Sequence, residues 1–115
     1  MIFTSKFLFS KVLKKYDGIT LFPFIFLKFG KDEIPPQDYK ILLNHEKIHF
    51  RQQTETLVIF FYVLYAVFYL RNRLKGMGHF AAYKNIPFEK ECYALQNDLS
   101  YLDRRKFFAW KNFIL

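Results

Sequence analysis

The segment His45-Glu46-Lys47-Ile48-His49 constrains this chain more than any other. Histidines four apart share a face only if the segment is helical, with about one turn between them. Two neutral imidazoles in that geometry can reach one ion, and imidazole nitrogen suits Zn²⁺. Glu46 stands beside the first imidazole, where a carboxylate can reach a water on the metal and serve as general base. With only 3 His in the chain, the pattern should arise by chance on the order of 0.003 times. A catalytic zinc takes three protein ligands and keeps a position for water, so another ligand must come from elsewhere.

Composition narrows the setting. At 115 residues the chain is one domain with room for a modest core. Aromatic residues make up 22 %, with 16 Phe and 8 Tyr, more than a soluble domain of this size readily hides. The excess calls for a bilayer, a partner or a deep apolar groove. Net charge is +8, with Lys and Arg spread along the chain. That spread favours an anionic membrane surface over a nucleic-acid patch, and no nucleic-acid partner is expected. The single Cys excludes an intrachain disulfide framework. Met1 to Phe9 is broken by Lys6, with Lys11, Lys14 and Lys15 close behind and no small-residue cleavage site. The N-terminus is therefore expected to be retained.

Along the chain, residues 2–16 are apolar and basic without a winning period. Asp17-Gly18 signals a turn. Ile19 to Phe29 reads as a strand with Pro23 at an edge or bend, and Gly30 to Pro36 as a loop. Pro35-Pro36 permits a helix after it, expected over Gln37 to Lys75. The 14 residues from Leu57 to Leu70 carry no charge. Their length of about 21 Å falls short of a hydrocarbon core of roughly 30 Å, so a buried or interfacial helix is expected rather than a span. Arg71, Arg73 and Lys75 could meet phosphate head groups, with Tyr62, Tyr65 and Tyr69 near an interface. Gly76 to Gly78 ends this helix, and residues 79–87 read as a loop. A last helix is expected from Phe88 to Phe113, with Phe88, Cys92, Leu95, Leu99 and Leu102 as its core stripe.

The missing ligand should be a carboxylate at the start of that last helix, where Glu89 and Glu91 both stand. Inward direction leans to Glu91, about 60° from the centre of the apolar stripe. Glu89 shares a second polar row with Tyr93 and Gln96. The helical wheel leaves both open.

His45-Glu46-x-x-His49 followed by Glu89-x-x-Cys92-Tyr93 resembles the gluzincin metallopeptidases. In several of their membrane-linked branches the second helix reads E-x-x-A-D or E-x-x-C-D, and its first Glu is the third zinc ligand. Glu89 matches that position. The chain is also similar over most of its length to a family of small bacterial HExxH proteins. That similarity rests on Phe22-Pro23-Phe24-Ile25-Phe26, Asn44 to Gln53 and Phe88 to Ala94. The gluzincin resemblance implies a single zincin-like domain over 1–115, with zinc on His45, His49 and Glu89 and Glu46 as base. It implies a peptide or protein substrate, pairing with the strand Ile19–Phe29 as a free edge. Where gluzincins place an Asp that orients a zinc histidine, this chain has Tyr93, a weaker orienting group.

Tyr93 and Tyr83 are candidates to donate to a tetrahedral intermediate, Tyr93 the better placed. His79 reads as a loop histidine, and Gln53 as support for His49 or a substrate contact. Arg104-Arg105-Lys106 reads as a solvated or lipid-facing run, and Cys92 as buried and inert. The fold expected is mainly α (α+β). A long HExxH helix and a C-terminal helix form the site, behind a short N-terminal β element. The function expected is a zinc metallopeptidase at a membrane surface, the bacterial inner membrane by resemblance, or else in the cytoplasm. A membrane-associated zinc-binding interaction protein without protease activity is the alternative.

Overall fold

A computed structural model describes residues 2–11 and 16–114. Lys14 and Lys15, part of the basic N-terminal run, lie outside the described residues. The fold is mainly α with a small N-terminal sheet. Strands β1 (Ile2–Thr4), β2 (Gly18–Leu21) and β3 (Phe24–Leu27) lie in the order β1-β3-β2. β1 runs parallel to β3 and β2 antiparallel to it. Helix α1 (Lys6–Lys11) lies between β1 and β2 in the chain. The expected strand Ile19–Phe29 is thus two strands. Phe22-Pro23, joined by a cis peptide, sits between the paired Leu21 and Phe24. Proline has no N–H for a ladder and suits this turn.

Helix α2 (Pro36–Glu55) starts at Pro36, where the missing N–H removes no helix bond. It does not continue to Lys75 as the sequence suggested. The chain breaks at 56–58 and resumes as α3 (Ile59–Leu74), bent by 110° from α2. Thr56 turns its hydroxyl onto the Gln52 carbonyl at 2.8 Å. Leu57 and Val58 then take positive φ of 55° and 63°. For a β-branched residue such as Val58 this is a strained backbone. What offsets the strain is burial. The turn swings Phe61 of α3 into contact with Ile86, Phe88 and Trp110, the larger of two core clusters. Among the described residues no single helix is long and apolar enough to cross a membrane.

Residues 79–87, expected as a loop, contain helix α4 (His79–Lys84). The expected last helix also divides. It forms α5 (Pro87–Leu95), α6 (Tyr101–Arg104) and a 3₁₀ turn, Ala109–Phe113. Asn44 of α2 ends α5, its amide donating to the carbonyls of Gln96 and Asp98 at 2.8 and 3.1 Å. Helix termini need such partners for their free carbonyls. The core stripe is accordingly shorter. Cys92 joins Ile48 and Tyr101 in the second cluster, with Leu95 and Leu102 against it. Leu99, past the helix end, is exposed.

Arg105 corrects a further expectation. It is not part of a solvated run, because its side chain is almost wholly buried between Glu55 and Glu91. Its guanidinium forks to Glu55 at 2.7 and 3.0 Å and also binds Glu91. Tyr101 donates to Glu91 at 2.6 Å, and the Phe108 N–H to Glu55 at 2.9 Å. Removing the cation would leave two buried carboxylates uncompensated. Arg105→Ala should therefore destabilise the fold by about 3–5 kcal/mol in urea denaturation. Arg104→Ala, which breaks exposed contacts with Asp98, Ser100 and the Tyr101 ring, should barely move the midpoint.

Candidate metal centre

Helix α2 buries a polar face. Of its buried residues Asn44, His45, Glu46, Ile48, His49, Gln52 and Gln53, only Ile48 is apolar. Helical spacing puts His45, His49 and Gln52 on one stripe, aimed at α5. Glu89, at the first turn of α5, meets them. Its carboxylate lies 3.5 Å from His45 Nε2 and 3.1 Å from His49 Nε2. Tyr65 of α3 donates to the same carboxylate at 2.7 Å. The structure thus brings Glu89, not Glu91, to the two imidazoles. Glu91 lies behind, fully buried against Arg105, Tyr101 and Gln52.

Both imidazoles are held from the rear by amides. His49 Nδ1 is 2.8 Å from Gln52 Oε1, and His45 Nδ1 is 2.6 Å from Gln96 Oε1. The orientation of Gln52 follows from its other partners. Its Nε2 donates to the Phe88 carbonyl at 3.0 Å and to Glu91 at 2.9 Å, both of which only accept. Its carbonyl must then face His49 and accept from Nδ1–H. That leaves Nε2 as the ring atom turned to Glu89, the arrangement in which an outer hydrogen bond orients a metal-binding histidine. The supporting residue is therefore Gln52, where the sequence had suggested Gln53. Tyr93, in the place of an orienting Asp, packs its ring edge-on against His45 at 4.8 Å, and its hydroxyl meets Tyr83 at 3.3 Å.

Cys92 approaches from the same rear side, its Sγ 3.5 Å from His49 Nδ1. His45, His49 and Cys92 form a buried group that could hold a metal ion. Burial pushes the Cys92 thiol up to about 12, against the pull of His49, so the sulfur carries its proton at neutral pH. Glu89 differs. Burial disfavours its charge, but His49 and His45 outweigh that and hold the carboxyl far below its usual range. At His49 burial likewise opposes the cation, and the adjacent Glu89 carboxylate outweighs it and raises the imidazole above its usual range.

Glu46 lies on the sheet side of α2. The Thr20 hydroxyl of β2 sits 2.9 Å from both its carboxylate and its backbone carbonyl. Burial raises its pKa, partly offset by His49, His45 and Thr20. Gly18 packs so close that a Cβ there would stand 3.1 Å from the Glu46 carboxylate. Gln53 ties α2 to β2, donating to the Thr20 carbonyl at 2.7 Å and accepting the Phe22 N–H at 2.9 Å. The Lys28 N–H bond to the Asp17 carbonyl fixes the pairing parity, so Gly18 and Thr20 turn their backbone to the free edge of β2. Gln53 uses part of that edge.

A cavity of about 330 Å³ opens beside these residues. Gly18 to Leu21 form one wall, His45, Glu46, His49 and Glu89 another, and Tyr62, Tyr65 and Tyr69 of α3 a third. Cys92 is not among its lining residues. His79 also lines it, with Nδ1 2.8 Å from the Tyr69 hydroxyl. Burial raises the Tyr65 and Tyr83 phenols far above their usual range, so both remain hydrogen-bond donors. Tyr65, which the sequence set near a head-group interface, instead packs on the core and reaches Glu89, because the break at Leu57-Val58 turns its face of α3 inward. No family model, no curated protein and no solved structure matches the chain.

If Gln52 fixes the His49 ring, Gln52→Ala should weaken divalent-metal binding by roughly 10–100-fold. Competition titration against a chromophoric chelator would read this. An unchanged affinity would show that packing alone holds the ring.

Proposed function

We propose that the protein is a zinc metallopeptidase of gluzincin type. One observation carries the reading: two imidazole Nε2 atoms and one carboxylate meet at the wall of a cavity that Glu46 also lines. The donor set fits zinc. Each Nδ1 is occupied by an amide carbonyl, so each Nε2 can offer a lone pair once the metal displaces any proton it shares with Glu89, and the Glu89 carboxylate adds charge. His45, His49 and Glu89 would hold the ion.

Zinc in such a site supplies a Lewis acid that makes water more acidic and polarises a carbonyl. Glu46 takes a proton from the attacking water as its oxygen bonds to the scissile carbon. It then passes that proton to the nitrogen as the C–N bond breaks. Burial makes the Glu46 carboxylate a stronger base, His49 and His45 oppose its neutralisation, and Thr20 keeps the carboxylate in place. Tyr65 and Tyr83 line the cavity and Tyr93 stands against Tyr83 outside its wall, and these phenols are the candidates to donate to developing negative charge.

A second reading has its own observation. The buried His45, His49 and Cys92 group would suit a closed structural site in a zinc-binding interaction protein without protease activity. The two readings separate by substitution and metal analysis. Glu89→Ala should lose bound zinc while Cys92→Ser keeps about one ion per chain, if the peptidase reading is right. The reverse pattern supports the structural site.

Glu46→Gln tests the chemistry. It should retain zinc and lower peptide hydrolysis by about 10²–10⁴-fold, the usual cost of losing a general base. Loss of the metal in this variant would mean that Glu46 is a ligand rather than the base.

A further inference from the structure

We propose that the outward face of α3 docks on an anionic bilayer, and that the adjoining site acts on peptide chains presented at that surface. The second clause rests on the peptidase reading; the first does not.

Helix α3 has two apolar faces. One carries Phe61, Tyr65 and Phe68 into the core. On a wheel of 100° per residue, Ile59, Phe60, Val63, Val67, Leu70 and Leu74 share an opposite arc of about 100°. These side chains are between 52 and 88 % exposed. No charged residue interrupts the arc, because Arg71 and Arg73 fall outside it. Arg71 is turned to the Ile114 carbonyl and Arg73 to the Tyr69 hydroxyl. An apolar stripe of this extent on a surface helix marks a contact face.

The charge distribution selects the occupant. The chain carries +8, and its surface is more basic still. Glu46, Glu89 and Glu91 are buried, and Glu55 is shielded by Arg105, whereas every other Lys and Arg whose side chain is described reaches solvent at least in part. A second copy would bring another strongly cationic body against the stripe. An anionic lipid surface instead gains both apolar contact and ionic attraction. Helix α3 is too short to cross a bilayer and so lies along it.

The stripe also borders the site. Tyr62, about 42 % exposed, lies between the stripe and the cavity wall and lines the cavity with Tyr65 and Tyr69. A docked α3 therefore places the cavity mouth beside the lipid surface. Substrates meeting it there are extended, apolar segments held close to the head groups.

Flotation of the full chain with vesicles tests the proposal. The protein should rise with vesicles of equal parts phosphatidylcholine and phosphatidylglycerol, and at least about tenfold less with phosphatidylcholine alone. High salt should release it in part. The double variant Val67→Glu, Leu70→Glu should lose at least about tenfold in vesicle binding while keeping its helical circular dichroism and bound metal. Should that variant misfold, a fluorophore on Val67→Cys gives an independent reading, since Cys92 is buried. Its emission should shift to the blue with anionic vesicles. A monomer that stays in the soluble fraction overturns the proposal. So does a dimer that the double variant dissociates, or vesicle binding that the variant leaves intact, or an unshifted fluorophore. None of these readouts involves cleavage. A failure here leaves the metal site untouched, and a chain that binds vesicles but hydrolyses nothing overturns the peptidase reading and the clause that rests on it while the docking of α3 stands.

Discussion

The Glu91 carboxylate is fully buried, and much of the architecture follows from compensating it. A buried charge is tolerated only when paired and hydrogen-bonded. Arg105 supplies the opposite charge from beyond two chain breaks, and Tyr101 and Gln52 fill the remaining acceptor positions. This ties the C-terminal segment back to α2 and α5. It also sets Gln52, which in turn sets the ring of His49. The ion pair is therefore stabilising as geometry more than as energy. It converts the position of the last chain segment into the orientation of an imidazole some 50 residues earlier.

The local parts of this scheme were legible in the sequence. His45, Glu46 and His49 announce themselves through a spacing that only a helix can use, and the apolar residues around Phe88 and Cys92 through theirs. The mainly α fold with a short N-terminal sheet followed from the same local patterns. Glu89 entered through the resemblance, because a helical wheel cannot rank two acids when a helix is buried on both sides. What stayed hidden depends on long-range contacts. Arg105 looks like a surface cation until its partners Glu55 and Glu91 are in view. The break at Leu57-Val58 carries no glycine or proline, so no local rule places it. Tyr65 reaches the site only through that break, whereas Gln96 stood on the polar row with Glu89 and Tyr93 that the sequence already showed.

The site has an energetic consequence for the whole domain. A helix in the middle of a small protein normally contributes apolar area, but α2 gives most of its buried face to polar groups. Much of the hydrophobic burial falls to two modest clusters, one around Phe61, Phe88 and Trp110 and one around Ile48 and Cys92, with Phe9, Ile25 and Leu27 buried by the sheet region. Aromatic residues fill the first, where each ring removes a large area from water and adds edge and offset contacts. The abundance of Phe thus has two physical sources, a core that must be built from few residues and a surface that presents apolar side chains outward.

The clamp of Gln53 on β2 bears on what the sheet edge offers to another strand. A strand edge with free N–H and C=O groups is a template for any other strand, and more so when phenylalanines flank it. Gln53 occupies the Thr20 carbonyl and the Phe22 N–H, which shortens the open ladder on that side to a few groups around Gly18. The opposite edge, β1, is only 3 residues long. Neither edge offers enough consecutive backbone groups to nucleate a growing sheet. One glutamine and short strands thereby limit the template that this Phe-rich sheet offers for self-pairing.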